Sequence, residues 1–590
     1  MTKAIHFKNS FASGEVSPFV HQSGSNLKIY QSCLAHCHNY IPLRTGALMR
    51  RPGTRIYHVF DDVDKPQRLF SFVKDAYTAY IIVLGYLKLH IFERRMGGCS
   101  KVTTIEVPYK KEDVDEIEVA QNIDTLWMVH PKHPPCQLEL KGKDWEFKEV
   151  LFKHVPPLKE QFIDDKKVSI NLKTPFENTE TGKTGMVSVE ADGEMFKEMD
   201  IGRELNLGFR PQRWIPDTWY LDNSYVVHND RLLKCINKGK SQSTEWTFSD
   251  KEHQQKDGSC LWEKVESTKG NARNLLIWVT GVIKRFKTAK CVLLELKGAF
   301  PLQNDLPTKH WLLGEWGQKE GYPSCITFFG NRLVLSGGKH NPQTVHFSKL
   351  DDFTDFNQIS EQGGNTDLTS SFSVLLGSDV RQGIQWLSHK DSGLLVGTES
   401  ALWLITQTSQ NEVVSKETVA IRSIGNFGSI AVSPILVGSH CVFIKDTGRD
   451  LISLVGNRSA DNTKTEYRFR DLNLFAEHIL TKGVWEAVLQ QSPYSIIWVV
   501  LRDGRLVGCT FDPDNEVCAW HTHDLGGFYT QIHSLTSCAS FLDGQDDLWL
   551  LVERLDDTGR KTRSLEKLGN FRRMNTYQPV DVIDGYSRKG

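Results

Sequence analysis

The stretch IIWVVLRDGRLVGCTF, residues 496–511, decides the reading of the fold. An unbroken apolar run over residues 496–500 is followed by Asp503-Gly504 and a second apolar run. Asp-Gly supplies the left-handed backbone that a tight hairpin needs, so the stretch reads as two antiparallel strands. Apolar residues at consecutive rather than alternate positions belong to a sheet buried on both faces. VFIKDTGRDLISLV (residues 442–455) repeats the pattern through Asp446-Thr447-Gly448, and LVERLDDTGRKTRSLEKL (residues 551–568) repeats it with a longer tip.

Working outward, similar apolar cores recur along the chain. They are YIIVL at 80, LWMV at 126, RLVL at 332, GLLV at 393, CVFI at 441, IIWVV at 496 and LWLLV at 548. Their starts differ by 46, 206, 61, 48, 55 and 52 residues. Apart from the one large gap, this is close to the period of a four-stranded propeller blade, roughly 40–50 residues. The expected fold is mainly β: a β-propeller of about six to seven blades with an inserted small β domain and few helices. A pair of β-sandwiches with similar strand spacing is the alternative. The expected division is an N-terminal arm and helix over residues 1–56 and first blades over 57–157. An insert of one or two small β modules follows over 158–310, then the remaining blades over 311–570 and a C-terminal tail over 571–590.

Two helices are expected. Leu27, Tyr30, Leu34, Cys37 and Ile41 fall three or four apart, an apolar stripe across residues 25–41. Asp471 is placed to cap a second helix over residues 472–480, with Leu474, Phe475, His478 and Ile479 on one face.

The formal charge of -1 excludes a protein that coats nucleic acid or anionic membrane by bulk electrostatics. No apolar run is long enough for a transmembrane helix, and the first residues lack the apolar core of a secretory signal. The 12 scattered cysteines fit free thiols in a reducing cytoplasm better than a disulfide scaffold.

Catalytic signatures are absent from the sequence. Gly182-Lys183-Thr184 resembles the end of a phosphate loop, but Glu177 stands where its leading glycine belongs. Cys33, His36, Cys37 and His38 lack a second ligand pair at knuckle spacing, and the two cysteines lie on the apolar stripe as core residues. His521 and His523 share one strand face, which reads as a solvated face. Asp543, Asp546 and Asp547 read as a turn tip, and Trp127, Trp386, Trp403, Trp498 and Trp549 as packing between blades. No catalytic, metal-binding or cofactor-binding residue is assigned, no cofactor is expected, and the chain is read as a non-enzyme.

A resemblance adds what composition does not supply. Phe11-Ala12-Ser13-Gly14-Glu15-Val16-Ser17-Pro18 opens the chain, and Leu43-Arg44-Thr45-Gly46-Ala47-Leu48-Met49-Arg50-Arg51-Pro52-Gly53-Thr54-Arg55 follows. Further blocks are GYPSCITF (residues 321–328), PQTVHFSK (342–349), Phe353 with Phe356, Asp471-Leu472, Ala476-Glu477-His478, Arg502-Asp503-Gly504 and Ala519-Trp520-His521. Together these resemble the tail nozzle proteins of short-tailed bacteriophages, the tail tubular protein B family. Ala12-Ser13 departs from the Gly-rich pair the family often carries.

The resemblance implies a structural virion protein, made in the host bacterial cytoplasm and placed at the distal tail. It implies a homohexameric ring that continues the channel below the tail adaptor, meets tail fibre proteins and lets viral genomic DNA pass without sequence-specific binding. Contact with the host surface is compatible with that role. A wall that DNA must pass gains nothing from phosphate-gripping lysines, so channel-facing loops are expected to lack a strong basic excess. Gly14, Glu15, Ser17, Pro18, Arg50, Arg51, Pro52 and Gly53 are the candidate assembly residues. The arginines either bind carboxylates of a neighbouring subunit or adaptor, or form an intrachain pair that pins the arm. The alternative function is a propeller hydrolase or receptor-binding module acting on host surface polysaccharide.

Overall fold

The computed structural model describes residues 8–23, 28–61, 66–75, 77–95, 98–158, 169–173, 178–179, 182–183, 185–249, 252–265, 276–297, 307–358, 368–377, 382–390, 393–408, 413–458, 465–527, 529–539, 544–555, 559–571 and 584. Seven antiparallel sheets of the propeller type follow one another along the chain. Blade 1 is Arg68–Val73, Ala79–Leu84, Lys88–Arg95 and Gly98–Glu106; blade 2 is Glu118–Asn122, Thr125–His130, His133–Lys141 and Asp144–Glu149. Blade 3 is Cys325–Phe329, Arg332–Ser336, Thr344–Phe347 and Phe372–Leu375; blade 4 is Ile384–Lys390, Gly393–Thr398, Leu402–Gln407 and Val419–Gly425. Blade 5 is Ile435–Val437, His440–Ile444, Leu451–Arg458 and Thr465–Asp471; blade 6 is Val484–Gln490, Ile496–Leu501, Leu506–Asp512 and Val517–His523.

Blade 7 joins the two ends of the chain. Thr530–Cys538, Asp547–Leu555 and Lys561–Leu568 pair in order, and Thr54–Phe60 from the N-terminal region adds the outer strand. Residues 57–60 therefore belong to the last blade and not to the first.

Every apolar core singled out in the sequence is the second strand of a blade. That strand has a paired neighbour on each edge and a blade on each face, which is why its apolar residues run without alternation. The cores lie between blades. Ile82, Leu89, Met128 and Leu138 join blades 1 and 2, and Trp127, Val129, Leu333 and Leu335 join blades 2 and 3. Trp386, Leu395, Phe443 and Leu454 join blades 4 and 5, Trp498 sits between blades 6 and 7, and Trp549 between blades 7 and 1. Trp403 is half-buried against the core of blades 3 and 4. The packing role read for these tryptophans holds.

The insert between blades 2 and 3 has two parts. Ile170–Lys173, Met186–Ala191, Cys291–Leu296, Ile277–Thr288, Glu204–Phe209 and His310–Leu313 form one sheet in that order. Ile170 and Thr308 exchange backbone hydrogen bonds of 2.8 Å in both directions, which closes the sheet into a barrel. The insert thus runs past residue 310, because His310–Leu313 is a barrel strand. A second sheet, built from Gln212–Arg213, Tyr225–His228, Arg231–Asn237, Cys260–Lys264 and Gln254–Asp257, grows out of the barrel. Its core turns on the buried Asp257, whose carboxylate accepts the indole N–H of Trp214 at 2.7 Å and of Trp262 at 3.0 Å.

Neither expected long helix forms. Residues 28–41 give a 3-10 turn (Lys28–Gln31) and short strands at Cys33–Leu34 and Tyr40–Pro42; Leu27 lies outside the described residues. The backbone finds partners across the chain instead of along a helix: the Cys37 carbonyl accepts from the Thr522 amide at 2.9 Å, and Asn39 sits at φ 58°. Asp471 ends the outer strand of blade 5, where its side chain accepts the Asn473 amide at 2.8 Å. The following turn leaves Leu474 exposed and only Glu477–Leu480 helical, as a 3-10 turn. The α-helix among the described residues is Pro18–Ser23.

Candidate functional site: the N-terminal arm and the propeller channel

The arm is built from the two opening blocks of the sequence. Gly14–Glu15 lies parallel to Cys33–Leu34 and to Trp520, widening blade 6 by two short strands. Gly14 has φ +61°, and a Cβ there would lie 2.4 Å from the Trp520 amide nitrogen. Only glycine fits both constraints.

Glu15 is buried and bound at both oxygens. Oε2 accepts the Cys37 amide at 2.7 Å and Oε1 pairs with His478 Nε2 at 3.0 Å. The Ser17 amide donates to the Phe475 carbonyl at 2.7 Å, and Pro18 starts the short helix, where a missing N–H costs nothing. Arg51 is 7% exposed and donates to the Asp584 carboxylate at 2.8 and 3.0 Å, to the Asp524 carbonyl at 2.9 Å and to the Pro52 carbonyl at 2.6 Å. The Gly53 carbonyl accepts from the Gly569 amide at 2.8 Å. Of the candidate assembly residues, Gly14, Glu15, Ser17, Arg51, Pro52 and Gly53 are thus buried inside the chain, while Pro18 and Arg50 are exposed. Arg51 forms an intrachain pair, and its partner is the C-terminal segment.

The channel holds a second polar group that the sequence reading missed. Two connected cavities of about 400 Å³ each run along the innermost strands and share Glu118, Val119 and Ser433. Arg68 of blade 1 lies 3.9 Å from Glu118 of blade 2 and 3.7 Å from Glu486 of blade 6. Its Nη1 also donates to the Asp115 carbonyl at 3.1 Å and to the Ile117 carbonyl. Glu118 accepts the hydroxyl of Ser433 at 2.9 Å, tying blade 2 to the loop before blade 5. Glu486 accepts the Ser534 hydroxyl at 2.7 Å and the Leu535 amide at 2.9 Å. Burial pushes both carboxyls above the usual carboxylate range, with Arg68 opposing it. These groups cross the channel and hold inner strands together. The signal was available only as isolated charges on the first strands of blades 1, 2 and 6, outside the apolar cores singled out in the sequence.

Other site readings change. His521 and His523 are buried, with Nδ1 and Nε2 2.6 Å apart, beside Trp498. The expected solvated face is therefore a blade interface, because blade 7 covers that side of blade 6. Asp547 is no turn residue: it is buried, 2.6 Å from Arg94 and 2.7 Å from Lys567, while Asp543 lies outside the described residues. Gly182–Lys183 is half of a two-residue hairpin with Asn178–Thr179, and Thr184 lies outside the described residues.

No protein-family model and no curated protein matches the chain. Among solved structures it is similar to Hsv2 of Kluyveromyces lactis, at 10% identity over 78% of this chain and 98% of that one, with a TM-score of 0.28. It is also similar to the Cps50 (Swd1) β-propeller domain of Myceliophteria thermophila, at 8% identity over 78% of this chain and 100% of that one, with a TM-score of 0.30. The propeller assignment itself stands on the seven sheets, their order and the strand that closes blade 7.

Proposed function

We propose that this chain is a structural subunit of the distal tail nozzle of a short-tailed phage, assembled as a homohexameric ring that meets the tail adaptor and tail fibres. One observation carries the reading. The two blocks that bear the resemblance, residues 11–18 and 43–55, come together as a single arm on blades 6 and 7, and their distinctive residues have roles there that few substitutes fill. The same signature on a chain of another fold would carry no such weight.

The channel of the single propeller is crossed by Arg68, Glu118, Ser433 and Glu486, which bridge its inner strands between two cavities and leave no duplex-wide passage. The genome's path in this reading is the axis of the ring. The surfaces left for head-to-tail contact are those outside the blade cores: the exposed Pro18 and Arg50 of the arm, and the insert. A hydrolase acting on host polysaccharide needs a free acid and base in its funnel. Here Glu118 and Glu486, two of the three carboxylates that line the channel cavities, are engaged by hydroxyls, an amide and Arg68.

Electron microscopy of the purified chain mixed with its tail adaptor ring tests the assignment. Closed rings stacked on the adaptor are the expected result. A monomer that persists at every concentration and with adaptor present contradicts it. Release of reducing sugar from host capsule, abolished by Glu118→Gln, would replace it with the hydrolase.

A further inference from the structure

At the rim of blade 2, where the turn that Arg68 caps from the channel leads into the inner strand, two segments bring four possible metal ligands together. Asp113 precedes the 3-10 turn Val114–Glu116 that leads into the blade, its carboxylate accepting the Lys110 amide at 2.9 Å, and His130 and His133 flank the hairpin turn between the second and third strands. His133 Nε2 lies 3.0 Å from Asp113 Oδ2, and His130 Nε2 lies 3.8 Å from Asp113 Oδ1 and 3.5 Å from Glu116 Oε2. Tetrahedral zinc with bonds of about 2.0–2.1 Å has ligand atoms roughly 3.3 Å apart, in the middle of this range.

We infer that Asp113, Glu116, His130 and His133 form a binding site for a divalent cation of the zinc class. The observation that separates this from an ordinary charged cluster is His130. Its side chain is fully buried, and its Nε2 has no hydrogen-bond partner while pointing at two carboxylates. With the ring proton on Nδ1, that buried Nε2 presents a lone pair to two carboxylates, a repulsive arrangement that a cation between the imidazoles and the carboxylates relieves.

The donor set selects the ion. Two imidazole nitrogens with two carboxylates suit zinc, whereas calcium and magnesium take oxygen ligands. The entrance is open, because the Glu116 and Lys132 side chains are 49% and 61% exposed.

Two groups oppose the ion and make the site testable. The Lys132 ammonium lies 3.5 Å from Glu116 and 4.0 Å from Asp113, competing for the same carboxylates. The Lys132 amide donates to His130 Nδ1 at 3.0 Å, which puts the ring's proton on Nε2. For zinc to bind, the proton must first move from Nε2 to Nδ1, freeing the Nε2 lone pair for the metal, and the Lys132 amide must turn away from Nδ1 while the Pro131 carbonyl keeps its bond to the Tyr322 amide.

The test titrates the full chain and two variants with Zn²⁺ by calorimetry, and with Co²⁺ by visible absorption. The wild type should take up one equivalent and show the d–d bands of a tetrahedral nitrogen–oxygen site. His133→Gln should weaken uptake at least tenfold. Lys132→Ala, on an exposed side chain, should tighten it several-fold, an effect that cation binding elsewhere on the protein does not produce. No uptake by the wild type, or the same isotherm in wild type and Lys132→Ala, overturns the inference. The second comparison decides the matter even if His133→Gln fails to fold.

Discussion

At the scale of single residues, the arm depends on positions where backbone geometry leaves no choice. Gly14→Ala would place a methyl group against the Trp520 backbone at a positive φ. It should destabilise the protein by roughly 2 kcal/mol or more, read as a lower denaturant midpoint with increased proteolysis of the first residues. The buried His521 and His523 make a different prediction. Burial pushes His521 down to about 3, and His523 falls well below the ordinary value of 6.5. Both are neutral when folded, so below 6.5 the unfolded chain binds more protons and stability falls with pH. Between pH 6 and pH 4, urea unfolding should lose about 1.4 kcal/mol per pH unit from His521 alone, with His523 adding to the loss in the same direction. Exchanging both for asparagine should flatten that slope whatever it does to stability at pH 8.

At the scale of elements, what the sequence disclosed followed from how each strand is buried. Residues 496–500 and their six counterparts are covered on both faces, so their apolar runs were legible as cores. Residues 25–41 misled because three-and-four spacing also arises when short extended pieces each bury one residue; Cys33, Cys37 and Ile41 are buried in that way. Arg68, Glu118 and Glu486 were illegible, since their meeting depends on blades 1, 2 and 6 facing one axis. The link between the chain's two ends was equally hidden: Arg51 and Asp584 stand 533 residues apart. Breaking that buried pair with Asp584→Asn should cost roughly 3 kcal/mol, because Arg51 stays buried without its carboxylate. The check is chemical unfolding, and the account expects the arm and the strand Thr54–Phe60 to open first, seen by hydrogen exchange.

At the scale of the whole molecule, the propeller and its insert are joined at a few points. Pro157 bridges to Gly314, so the chain leaves and re-enters the propeller at neighbouring positions. Buried Arg203 of the barrel meets Glu320 at 2.9 Å, and Lys297 of the barrel donates to the Phe152 and Lys153 carbonyls at 2.9 and 3.0 Å. Replacing residues 158–313 with a short Gly-Ser linker, together with Glu320→Gln to avoid an orphaned buried charge, should leave a propeller that unfolds cooperatively. If the insert supplies ring contacts, that variant should be monomeric. The balanced charge read at the outset suits a wall that DNA passes, but only the assembled tail shows which loops face the passage. The most direct measurement is a cryo-electron microscopy map of the intact phage tail. The account predicts this seven-bladed propeller and its barrel in a six-fold ring at the distal end, with no strong basic excess lining the axis. A tail that lacks the chain, carries it only at fibre tips, or has a lumen lined mainly by lysine and arginine contradicts it.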